Sequence, residues 1–178
     1  MALVLTKEDG TGLAGANAYA NAADGDAYHE GHLYATAWTS ATADKKAAAL
    51  VMASRLIDGL FQFNGVKTKG AQALQWPRED CPDPDANADI VGQRFVLSNV
   101  VPKAVVDATC ETARALIIED RTANPTGEGL KYSALGDLQQ SFDKNDRRPP
   151  IPHLAQAMLS KFGDLLNRRS GAVPLVRA

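Results

Sequence analysis

The stretch "VPKAVVDATCETARALIIED", residues 101–120, decides the fold class. Pro102 stands at the first position of a predicted helix, where its missing N–H costs nothing. Behind it Val106, Cys110, Ala113 and Ile117 recur at helical spacing, flanked by Val105, Thr109 and Leu116. A stripe that broad has to be covered by other elements. The flanking sequence supplies them. "TSATADKKAAALVMASRLIDGL" (39–60) predicts a helix over 43–58 capped by Thr42, with Leu50, Ser54, Ile57 and Phe61 on one stripe and Ala47, Val51 and Ala53 beside it. Upstream, Asn21 with Asp24 three residues later forms a capping box for a helix over 22–30 that Gly31 stops, with Ala23, Ala27 and Tyr28 as its inner face. Downstream, Pro152 opens a last helix with Leu154, Met158, Phe162 and Leu165/Leu166 on its stripe, and Arg168 and Arg169 at its C-terminal end, where cations suit the dipole.

Asn64-Gly65 is a turn dipeptide. Residues 77–89 hold three prolines and five carboxylates and read as a solvated loop. "NPTGEG" (124–129) breaks the chain, and alternating Leu130, Tyr132 and Ala134 before Gly136-Asp137 predict a β-hairpin over about 130–142. The expected architecture is therefore mainly α: a bundle of about four helices with a small β-hairpin, long loops and an extended C-terminal tail. The domain spans 1–170 and the tail 171–178.

At 178 residues and 45% apolar, one domain with its own core is expected. No apolar run is long enough to cross a bilayer, and the start does not read as a secretory signal, so no membrane partner is expected. The two cysteines, Cys81 and Cys110, fit no metal spacing and read as free thiols. Net charge is −2, which argues against general nucleic-acid binding. The charge is unevenly spread. Residues 1–40 set Lys7 against Glu8, Asp9, Asp24, Asp26 and Glu30. Residues 144–178 set seven cations against Asp146 and Asp164. Ends of unlike sign suit head-to-tail association.

Catalytic chemistry is not legible. There is no G-x-S-x-G, H-E-x-x-H, P-loop or G-x-G-x-x-G. His153, at a helix start, reads as a surface residue. His29 and His32 are spaced to share a metal but lack a convincing carboxylate. The acidic loop fails the EF-hand pattern. No cofactor, no metal and no enzyme activity are expected. Lys67 and Lys69 make a local positive spot only.

The segments "GTGLAGANAY" (Gly10 to Tyr19), "DGLFQFNGVK" (Asp58 to Lys67), "ALQWPR" (Ala73 to Arg78) and "PKAVVDATCE" (Pro102 to Glu111) occur in that order. In this combination the chain resembles a family of tailed-phage head–tail connector (adaptor) proteins, also labelled DnaT-like single-stranded-DNA-binding proteins. The resemblance covers about two thirds of the chain. It implies a helical adaptor forming a homo-oligomeric ring of about twelve copies under the portal protein. That ring would continue the channel for genomic DNA and seat a downstream neck or tail-completion protein. The location would be the virion neck, after assembly in the host cytoplasm. The alternative is a DnaT-like replication protein that binds single-stranded DNA. On the first reading Arg168, Arg169, Pro174, Leu175, Val176 and Arg177 are the portal- or neighbour-binding residues. On either reading Trp76, Pro77 and Arg78 form a structural anchor, with the Trp76 ring packed against the helices.

Overall fold

The computed structural model describes residues 3–86, 94–124, 132–135, 138–141 and 148–166, and of the two strands in 132–141 essentially the backbone. Among these residues are five helices: α1 (Ala22–Glu30), α2 (Thr36–Thr39), α3 (Ala43–Leu60), α4 (Lys103–Ile118) and α5 (His153–Leu159). Six short strands pair into three two-stranded antiparallel sheets. β1 (Phe61–Phe63) pairs with β6 (Gly163–Leu165), β2 (Val66–Lys67) with β3 (Arg78–Glu79), and β4 (Tyr132–Leu135) with β5 (Leu138–Ser141). The fold is thus mixed, with helices as its framework and small ribbons between them.

Capping fixes the helix starts. Asn21 accepts from the Asp24 N–H (2.9 Å) while Asp24 accepts from the Asn21 N–H (2.8 Å), the reciprocal pair of a capping box. Thr42 accepts from the Lys45 N–H, and α3 then runs through Gly59 to Leu60. Pro102 itself is the N-cap of α4, one residue before the helix proper.

α4 is central and packs against α1, α2, α3 and α5. Its buried residues include Val105, Thr109, Cys110 and Ala113 of the expected stripe. One core cluster joins Tyr19, Ile57, Phe61, Phe63, Trp76, Val105, Ile151, Leu159 and Phe162. A second joins Trp38, Leu50, Ala53, Cys110 and Ala113. In α1 the buried residues are Gly25 and His29, whereas Ala23 and Ala27 face solvent. The cause is Trp38 of α2, which lies so close that a Cβ on Gly25 would be 2.2 Å from the indole.

The expected last helix stops at Leu159. Ser160 caps it, and the chain turns through Phe162 into β6 beside β1. Ala155, Leu159 and Phe162 are buried, whereas Leu154 and Leu166 are exposed. Leu165 and Leu166 therefore belong to the strand and the turn after it. The hairpin at 132–141 forms with Tyr132 opposite Ser141. Its turn, Arg168, Arg169 and the tail residues Pro174, Leu175, Val176 and Arg177 lie outside the described residues.

Candidate functional site

Most of the motif residues converge in the interior. Glu8 is buried, and its carboxylate accepts the N–H groups of Gly10 (3.0 Å), Gly12 (2.8 Å) and Leu13 (2.8 Å). The glycine-rich loop thus wraps an internal carboxylate, which occupies the place where an external anion would sit. The Tyr19 hydroxyl donates to Asp58 and accepts from the Gln75 N–H (3.1 Å). The other Asp58 oxygen accepts from the Gln75 N–H (3.0 Å), and the Gln75 amide donates to Asp58 O (2.7 Å) and Phe61 O (3.0 Å). Burial pushes the Asp58 carboxyl up to about 6, against the stabilising bonds from Tyr19 and Gln75. Burial, and then the Asp58 charge, raise the Tyr19 phenol well above its ordinary value.

Trp76, Pro77 and Arg78 continue this hub. The Trp76–Pro77 peptide is cis. The Trp76 ring is fully buried and meets Phe63 and Phe162 edge-on, at 5.6 and 5.7 Å between centroids. Arg78 is also buried. Its guanidinium donates to four backbone carbonyls: Asn64 (2.7 Å), Gly65 (2.6 Å), Phe63 (3.1 Å) and Gln75 (3.2 Å). The side chain ties residues 63–65 to its own segment at Gln75, and its charge is consumed inside the fold.

The exposed face of the same region is different in character. β2 and β3 form a ribbon in which Lys67 pairs with Arg78 and Val66 with Glu79. Gly65, at φ +74°, lets the ribbon turn, since a Cβ there would lie 2.1 Å from Glu79 O. A separate segment, 94–98, lies against this ribbon. The Val96 N–H donates to Cys81 O (2.9 Å), Pro82 and Phe95 form an antiparallel bridge, and the Thr68 hydroxyl donates to Ser98 O (3.1 Å). Lys67, Lys69 and Arg94 are exposed here, together with Val66, Phe95 and Leu97. Glu79 and Asp80 are exposed on the same ribbon, so the positive field is local and modest. Exposed cations and a half-exposed phenyl ring on neighbouring segments are the groups that can hold phosphates while a base stacks. Lys67 and Lys69 were visible in the sequence as a positive spot. Arg94 and Phe95 were not, because only long-range pairing brings them there.

Other candidates resolve as structure. His29 is buried, with Nε2 3.2 Å from Cys110 O, and burial lowers its pKa. His32 lies 3.8 Å from Glu111, which a short bond ties to Arg114. Cys81 and Cys110 are buried free thiols, and burial pushes Cys110 up to about 12. His153 and Ser160 line one groove with Asp164. They sit seven residues apart at opposite ends of α5, about 10 Å along its axis. That is too far for a nucleophile–base pair.

The helix-and-ribbon scaffold and the filled glycine loop define a small mixed fold whose motif residues serve its interior. The chain belongs to the family described as "Putative DnaT-like ssDNA binding protein", whose sequence profile matches residues 1–178. No curated protein and no solved structure matches it.

Proposed function

We propose that this protein binds single-stranded DNA weakly and without sequence preference through the face carrying Lys67, Lys69, Arg94 and Phe95. The observation that supports it is the joining of these exposed residues on hydrogen-bonded neighbouring segments. The family description points the same way. Phosphates lie on the cations and a base stacks on Phe95, an interaction worth about 1–3 kcal/mol. With three neutralised phosphates, log K falls with log salt at a slope of about −2. Fluorescence anisotropy of a labelled oligo-dT at low salt tests this. The Lys67→Glu/Lys69→Glu variant loses at least tenfold in affinity, and Phe95→Ala loses fivefold or more. Unchanged affinity in both would end the reading.

A second reading keeps the head–tail adaptor. It is favoured by the exposure of Leu33 (90%) and Tyr34 (76%) between α1 and α2, an apolar pair suited to a protein partner, and by a net charge that does not grip passing duplex. On this reading about twelve copies form a ring on the portal protein in the virion neck, with a downstream neck protein below and genomic DNA passing through. Arg168, Arg169 and residues 174–177 would reach the portal or a neighbour. Electron micrographs of the protein mixed with portal rings decide it: added density under the portal supports it, and bare portals refute it.

A further inference from the structure

Among the described residues, the β1–β6 sheet has one covered edge and one open edge. The two strands bond through the Gln62–Asp164 pair. Beyond it, the Asn64 N–H donates to Phe162 O (2.9 Å) and the Leu166 N–H to Leu60 O (2.8 Å). By the alternation of an antiparallel ladder, the backbone groups of Gly163 and Leu165 point away from β1. The far edge of β1 is occupied, since Gln75 donates to Phe61 O and Arg78 to Phe63 O. Among the described residues no backbone group pairs with the outward groups of Gly163 and Leu165. That edge borders a groove of about 270 Å³ lined by Phe61, His153, Gln156, Ser160, Gly163 and Leu165. An open strand edge beside an apolar and polar groove is a template for strand addition.

The sequence holds a segment that fits it. In "AVPLV" (172–176), antiparallel addition can set Val173 against Leu165 and Leu175 against Gly163. The N–H groups of Val173 and Leu175 then face β6. Pro174, opposite Asp164, turns its nitrogen outward, the one placement an edge strand allows a proline. A slip by one residue would put the missing N–H against β6 and lose a bond, so the register is specified. Charge agrees. Residues 167–178 carry Arg168, Arg169 and Arg177 and no acidic side chain, and the exposed Asp164 stands on the rim. Residues 167–171, between β6 and this segment, span up to about 17 Å when extended, enough to reach a molecule in contact with this face.

We propose that the outer edge of β6 takes up residues 172–176 of a second copy by antiparallel strand addition. The contact joins the tail of one copy to the β6 edge of the next, and it can repeat from copy to copy to close a ring. It stands independently of the DNA-binding reading.

The test uses two full-length single variants, Asp164→Cys and Pro174→Cys, which form a non-hydrogen-bonded pair with close Cβ atoms in the proposed register. Mixed at high concentration and oxidised, they give a disulfide joining one chain of each kind, mapped by mass spectrometry. Asp164→Cys mixed with Val173→Cys gives at least fivefold less. Circular dichroism confirms that each variant folds. Two results overturn the proposal. One is no cross-link between the mixed chains. The other is a doubly substituted chain that links only within itself, which would place the segment on its own edge.

Discussion

Arg78 separates structure from binding most sharply. It lies on the cationic ribbon, and a reading from charge alone would hand it to DNA. Its guanidinium instead donates to the carbonyls of Phe63, Asn64, Gly65 and Gln75. Hydrogen bonds from a charged donor contribute about 1.5–3 kcal/mol each before the cost of burying the charge. Burial works against that charge and lowers the Arg78 pKa, so the sum of four bonds overstates the net. Arg78→Met keeps the aliphatic packing but strands the carbonyls. A loss of about 3–5 kcal/mol follows, a large share of the 5–15 kcal/mol typical of a domain. Arg78→Lys, with one point charge and no fork, recovers only part of it. Urea denaturation with an unchanged m value reads the loss. Where Arg78→Lys is still folded, its oligonucleotide affinity per folded molecule equals wild type. A loss under 1 kcal/mol, or a folded variant that binds DNA no better than Lys67→Glu/Lys69→Glu, would refute the assignment.

Trp76→Ala empties a fully buried site between Phe63 and Phe162 and costs about 3–5 kcal/mol, seen as a melting temperature lower by roughly 10 °C. Asp58 makes stability depend on pH. Its carboxyl titrates near 6 when folded against 3.8 ordinarily, so between those values the folded chain holds more protons than the unfolded one. The stabilising contribution of the neutral form is full below about pH 4 and declines as pH rises through 6, by about 3 kcal/mol. Urea titrations of Asp58→Asn should show that slope flattened. Cys110, fully buried and pushed up to about 12, should resist a thiol reagent at pH 8 in the native protein and react promptly in denaturant.

Local signals carried far in this sequence. The Asn21–Asp24 box, the Thr42 cap and the stripe of α4 are each written within one segment, and the structure follows them. The helices expected at 22–30 and 43–58 form, and the hairpin expected over about 130–142 forms with its strands at 132–135 and 138–141. What local reading missed depends on distant partners. α2 is four residues long with no side-chain cap, so nothing marks it until Trp38 packs on Gly25. β6 imitates a helical stripe, because Phe162, Leu165 and Leu166 keep the right spacing. Only its pairing with Phe61–Phe63 decides for a strand. The ribbon consists of two-residue strands ten residues apart, too short for periodicity to reveal, and segment 94–98 joins it from farther along the chain. The motif residues were easy to notice for a physical reason. Tyr19, Asp58, Gln75, Trp76 and Arg78 form one buried network, and such networks demand particular side chains. Exposed surface residues face looser demands, and so leave a fainter mark.

The most direct measurement is photo-cross-linking of the full chain to a single strand carrying 4-thiothymidine, with the adducts mapped by mass spectrometry. Adducts concentrated on residues 66–69 and 94–97, and lost in Lys67→Glu/Lys69→Glu, are the predicted result. Adducts spread evenly, or centred on another face with the ribbon untouched, would contradict it.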